Sequence, residues 1–152
     1  MIKMINYFFS IIMMSMIFGC NKHYDNSEGL NEYFSELNIA YEDLDACLIV
    51  PLQGCSSCID KCVSFVKKNH TNNKIHFIIV SSDLRDVKIR LGSNVWRSKS
   101  VTIDSSMLAV KKSLTYISPL IISNEQGDPI VTSINVGEID KQLASLQRKI
   151  NL

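Results

Sequence analysis

Apolar residues recur along this chain with two different spacings. Leu30, Tyr33, Phe34, Leu37 and Tyr41 fall on one helical face and predict a helix over 29–39. Ala46 to Val50 is an unbroken apolar run and predicts a buried strand, which Pro51-Leu52-Gln53-Gly54 then breaks. Ile59, Cys62, Val63 and Val66 follow at i, i+3, i+4 and i+7, predicting a helix that starts at Cys55-Ser56-Ser57-Cys58 and runs to about Asn69, with Lys67 and Lys68 opposing its negative end. Ile75 to Val80 reads as a second strand, covered on both faces. Ser82-Asp83 caps a helix through Leu91, closed by Gly92.

The second half is less regular. A short strand is expected over 100–103 and a helix over 105–114. Leu120-Ile121-Ile122 is an apolar strand, Asn124 to Asp128 a turn cluster, and 130–136 a returning strand whose alternating polarity suits a sheet edge. Ile139, Leu143, Leu146 and Ile150 mark a last amphipathic helix, opened by Glu138 and Asp140 and closed by Arg148 and Lys149. Strands alternating with helices predict parallel pairing through right-handed crossovers, and the final hairpin adds antiparallel strands. The fold class expected is an α/β sandwich with a mixed central sheet flanked by helices.

The first twenty residues stand apart. Lys3 is followed by a nearly wholly apolar stretch from Ile5 to Phe18, and Ile17-Phe18-Gly19-Cys20 ends it. A basic start and a short apolar run form an export signal. With a small residue before Cys20, the segment resembles a bacterial lipoprotein signal, whose cysteine becomes the lipidated first residue; the other reading is an uncleaved anchor helix. The expected organisation is a signal over 1–19, the lipidated Cys20 with a polar tether over 20–28, and one domain over 29–152. The resemblance implies a lipid-anchored protein of the bacterial cell envelope, facing the periplasm or the surface. Several acyl chains, at about 0.8 kcal/mol per buried methylene, would hold it on the membrane.

The formal net charge is +1, with no basic block or stripe, so nucleic-acid binding has no electrostatic footprint. Beyond Cys20 the cysteines are Cys47, Cys55, Cys58 and Cys62, crowded together rather than spread as a disulfide framework would be. Cys55 and Cys58 sit at a strand-to-helix turn. There free backbone N–H groups and the helix dipole favour a thiolate. Cys55, at the helix start, is the expected nucleophile. Cys58, one turn deeper, can attack a mixed disulfide and release the partner.

A structural bridge between the two would close almost no loop and stabilise the chain little. Cys47 and Cys62 are expected in the core. A soft-metal site for copper or zinc from Cys55, Cys58 and Cys62 lacks a completing ligand, with His70 at the far helix end and His76 in a strand. No metal and no cofactor are expected. Trp96 is expected to pack. Asp104-Ser105-Ser106 is read as a helix cap rather than part of a hydrolase, because no histidine lies in a catalytic context.

Three features together resemble the thioredoxin-like superfamily, specifically its membrane-anchored bacterial thiol–disulfide oxidoreductases. They are Cys55-Ser-Ser-Cys58 between strand and helix, Ser118-Pro119 just before an apolar strand, and Leu120-Ile121-Ile122 with the later Gly127-Asp128-Pro129-Ile130 turn. The resemblance implies a three-layer sandwich and a cis Pro119 facing the cysteines. It also implies a groove formed by Gly54, Ser118 and Pro119, in which Ser118 offers its backbone to an extended substrate. Exported cysteine-containing proteins or a membrane thiol reductant are the partners implied. Three departures stand out: Gly54 where an aromatic is usual, Ser57 where proline is common, and no acid in strand 46–50. These motivate the other class of function, a redox-silent binding module for an envelope partner.

Overall fold

The computed structural model describes residues 27–41, 44–125 and 128–151. The expected signal, Cys20, the tether residues before Ser27, and the Gly127 turn lie outside them. Among the described residues, no helix is long and apolar enough to cross a membrane.

In chain order the elements are α1 (Ser27–Glu36), β1 (Ala46–Pro51), α2 (Ser56–Asn69), β2 (Ile75–Val80), α3 (Leu84–Leu91), α4 (Ser93–Trp96), β3 (Val101–Asp104), α5 (Leu108–Lys111), β4 (Leu120–Glu125), β5 (Asp128–Ser133) and α6 (Ile139–Ile150). The strands form one sheet in the order β3-β2-β1-β4-β5. β1 pairs parallel with β2 (Leu48 opposite Phe77), and β2 parallel with β3 (Ile78 opposite Thr102). β4 runs antiparallel to β1 (Leu48 opposite Ile121) and to β5 (Ile122 opposite Val131). The chain is therefore α/β with a five-stranded mixed sheet, an arrangement compatible with a three-layer sandwich.

Strand alternation divides the core in two. Ala46, Leu48 and Val50 point to one face and pack with Cys58, Ile59, Cys62 and Val66 of α2 and with Ile139, Leu143 and Leu146 of α6. Cys47 and Ile49 point to the other and pack with Leu30, Tyr33 and Phe34 of α1 and Ala109 of α5. Each large apolar side chain fully buried this way contributes about 1.5–3 kcal/mol. β1, in the middle, is buried along its whole length.

Local chemistry sets the element ends. α1 stops short of residue 39 because Asn38 takes a left-handed φ of 55°. The Ile39 N–H then bonds the Phe34 carbonyl at 2.9 Å and the Asn38 N–H bonds the Ser35 carbonyl at 3.0 Å, a Schellman closure. The helix expected over 105–114 shrinks to the single turn of α5, because Met107 (φ 57°) and Ser113 (φ 58°) are both left-handed. Asp83 caps α3 by accepting from the N–H groups of Arg85 (2.9 Å) and Asp86 (3.1 Å). β5 starts and ends earlier than 130–136, and it is a sheet edge as its polarity pattern suggested.

Candidate functional site

The cysteine pair sits where β1 ends. Pro51 closes the strand, and Leu52 to Gly54 carry the chain from the end of β1 to α2. Cys55 is the N-cap of α2, with extended backbone (φ −67°, ψ 114°), and its carbonyl accepts the first helical bond from Ile59 at 3.0 Å. Cys55 is exposed, whereas Cys58, one turn on, is only 4 % exposed. Cys47, Cys55, Cys58 and Cys62 are all free thiols.

The Cys55 sulfur lies 3.2 Å from the Ser57 hydroxyl. That hydroxyl, and after it the backbone N–H and the thiol of Cys58, bring the Cys55 thiol down from the ordinary range to about 7. The Sγ makes no formal capping bond to the helix; the N–H groups favour the thiolate by facing it. Cys58 moves the opposite way. Burial pushes its thiol up, helped by the hydrogen bond to Cys55 and by the adjoining negative charge. The pair thus holds one accessible thiol poised to ionise at neutral pH above one that stays protonated.

Gly54 explains its own identity. Its φ is +146°, and a Cβ there would stand 2.6 Å from the backbone carbonyl oxygen of Ile117 and 3.3 Å from the Ile117 Cβ. No side chain fits between the cysteine turn and loop 115–118, so an aromatic before Cys55 is sterically barred. The same contact sets Ile117, the residue before Ser118-Pro119, against the residue before Cys55.

One expectation about that segment is corrected. The described residues contain no cis peptide bond, so Ser118–Pro119 is trans, the isomer favoured by about 0.5–1 kcal/mol when nothing nearby forces the other. The Ser118 carbonyl is already engaged by the Thr115 hydroxyl, and the Pro119 carbonyl by the Ile134 N–H at 2.8 Å. Each carbonyl thus has one partner within the fold and a second lone pair besides. What the segment does offer is a surface pocket of about 390 Å³ lined by Tyr116, Ile117, Ser118, Leu120 and Val131.

No family model, curated protein or solved structure matches this chain. The site is therefore read from its own geometry.

The remaining candidates separate by burial. Cys62 is fully buried on α2's core face, and burial, followed by the nearby Cys58, pushes its thiol up to about 12. Cys47 is likewise buried and pushed up. Among the described residues no group of three or more His, Cys, Asp or Glu side chains is arranged to hold a metal ion. Cys55 and Cys62 stand two helical turns apart, one facing solvent and the other the core. His70 hydrogen-bonds the Lys67 carbonyl at 2.9 Å and His76 the Thr102 hydroxyl at 2.8 Å, in the part of the fold where α2 ends and β2 begins. Trp96 packs against the core, with Lys88 Nζ 4.7 Å from its ring centroid. Asp104 is a cap, as expected: its buried carboxylate accepts from the N–H groups of Leu108 and Ala109, each at 2.8 Å, and from Tyr33 OH at 3.4 Å.

Sequence reasoning missed Ser57 and Ile117. Ser57 could have been found from its place two residues after the N-cap, where a hydroxyl can reach back to the capping side chain. Ile117 carried no signal, since a lone apolar residue in a loop has no period to betray it.

Proposed function

We propose that this chain is a thiol–disulfide oxidoreductase of the thioredoxin-like kind, held at the bacterial cell envelope through Cys20. The observation that carries the reading is the asymmetric dithiol at the head of α2: exposed Cys55 with its thiol brought to about 7, above buried Cys58 with its thiol pushed up. The mixed sheet, with β1 central and the pair at its end, supports the same reading. The trans Ser118–Pro119 bond departs from the family pattern and lends it nothing.

The step follows from the two thiols. The Cys55 thiolate attacks one sulfur of a partner disulfide, forming a mixed disulfide and expelling the partner's other sulfur as a thiolate. Cys58 gives up its proton and attacks the Cys55 sulfur. A Cys55–Cys58 bridge forms, the mixed disulfide breaks, and the proton returns to a departing thiolate. Two electrons pass from the pair to the partner. A thiol donor, such as a membrane thiol reductant, returns the pair to the dithiol, and exported cysteine-containing proteins are the partners on the other side. Two residues between the cysteines leave the sulfurs within reach of disulfide geometry.

Equilibrating the full chain with glutathione buffers of graded poise, followed by acid quench, alkylation and mass measurement, tests this. The expected result is a two-electron transition confined to Cys55 and Cys58 and lost in Cys55→Ala. A pair that stays reduced at every poise overturns the reading in favour of a redox-silent binding module.

A further inference from the structure

Resting on that reading, we infer that Ile117 and Tyr116 select the substrate: the site takes disulfides in polypeptide segments with apolar residues beside the cysteine, in preference to small charged disulfides. The inference starts at Gly54. Because a side chain is barred there, the residue before the nucleophile contributes no contact surface, and the Ile117 side chain, whose Cβ lies 3.3 Å from where a Gly54 Cβ would stand, occupies that place instead. Ile117 is 63 % exposed and Tyr116 is 61 % exposed, so two adjacent large side chains face solvent, Ile117 against Gly54, the residue before Cys55. Exposed apolar surface beside a reactive group is the usual mark of a binding contact.

The lip is preformed. The Ser113 hydroxyl and Tyr116 OH are 3.2 Å apart, which fixes the ring, and the Thr115 hydroxyl closes the loop onto the Ser118 carbonyl. A held aromatic and a β-branched side chain lose little freedom when a partner binds. The pocket of about 390 Å³ continues from them over Leu120 and Val131, room for a neighbouring side chain of the partner.

Charge points the same way. Neither 51–58 nor 113–119 contains a charged residue. Lys61, the cation that bears on Cys58, is paired with Asp140 at 2.6 Å. An anionic disulfide such as oxidised glutathione finds no counter-charge here, while an apolar segment finds surface to cover.

The test compares two oxidants of the reduced full chain: a disulfide-linked peptide with Leu and Phe flanking its cysteine, and oxidised glutathione. The wild-type chain should favour the peptide, and Ile117→Ser should lower the ratio of the two rate constants about tenfold, as loss of one partly covered aliphatic side chain implies. Tyr116→Ser, at a second exposed position, should lower the same ratio, with the Cys55 alkylation rate reporting that the nucleophile is intact. Equal wild-type rates, or variants that leave the ratio unmoved, overturn the selectivity while the exchange reading stands. No exchange with either oxidant overturns both.

Discussion

Ser57 does for Cys55 what a charged neighbour does at other reactive thiols. Its hydroxyl, 3.2 Å from the sulfur, donates to the thiolate and is the largest single cause of a thiol at about 7. A thiol with that value reacts progressively faster as pH rises through about 7 and then levels off, since the thiolate is the reacting form. Ser57→Ala should therefore move the midpoint of the iodoacetamide pH profile upward and slow alkylation at pH 7 several-fold, and Ser57→Thr, which keeps the hydroxyl, should restore it. Gly54 makes a steric argument rather than an electrostatic one. Gly54→Ala forces a Cβ to within 2.6 Å of a backbone oxygen at a positive φ, so the loops must part. A loss of about 1–3 kcal/mol in urea unfolding is expected. In the sequence Gly54 read as a missing aromatic; only the approach of a loop more than sixty residues away turns that absence into a requirement.

α2 shows how well a long periodic element can be read. Its apolar spacing placed Cys62 inward, and the structure buries it completely. Cys62→Ala should cost about 0.5–3 kcal/mol of stability while leaving the Cys55 alkylation midpoint near 7, separating a packing thiol from a reacting one. β2 and the Asp83-to-Gly92 boundaries of α3 were equally legible, because a continuous apolar run, a capping carboxylate and a positive-φ glycine each write a local signature. α5 was not. Its bounds depend on left-handed Met107 and Ser113, residue types that give no warning of that conformation, and on a cap reaching from Asp104 across three residues. Asp104→Ala strips two helix N–H groups and Tyr33 OH of their acceptor in a buried place. About 1–3 kcal/mol should be lost, seen as a lower Tm. Lys112, between Glu32 (2.8 Å) and Glu36 (2.7 Å), ties the same region to α1, a pairing no local pattern announces.

For the molecule as a whole, its buried thiols and phenols set how it responds to alkali. Burial holds Cys62 and Tyr41 up to about 12 each, while their unfolded counterparts ionise near about 8.5 and about 10. A raised folded value gives stability that is complete below the unfolded one and is lost as pH climbs toward the folded one. Cys55 works in the opposite sense: its lowered value adds stability to the reduced chain as pH rises from about 7 to about 8.5. The urea midpoint of the reduced chain should rise slightly or hold across that first window and fall between about 8.5 and 12. The same separation makes the wild-type chain its own labelling reagent. Of the four described thiols, Cys55 combines exposure with ionisation at neutral pH, so a short maleimide treatment at pH 7 should attach a fluorophore or spin probe there and leave the other three untouched. A probe so placed would stand under the Ile117 lip and report an arriving partner directly, without engineering Cys47, Cys58 or Cys62 away.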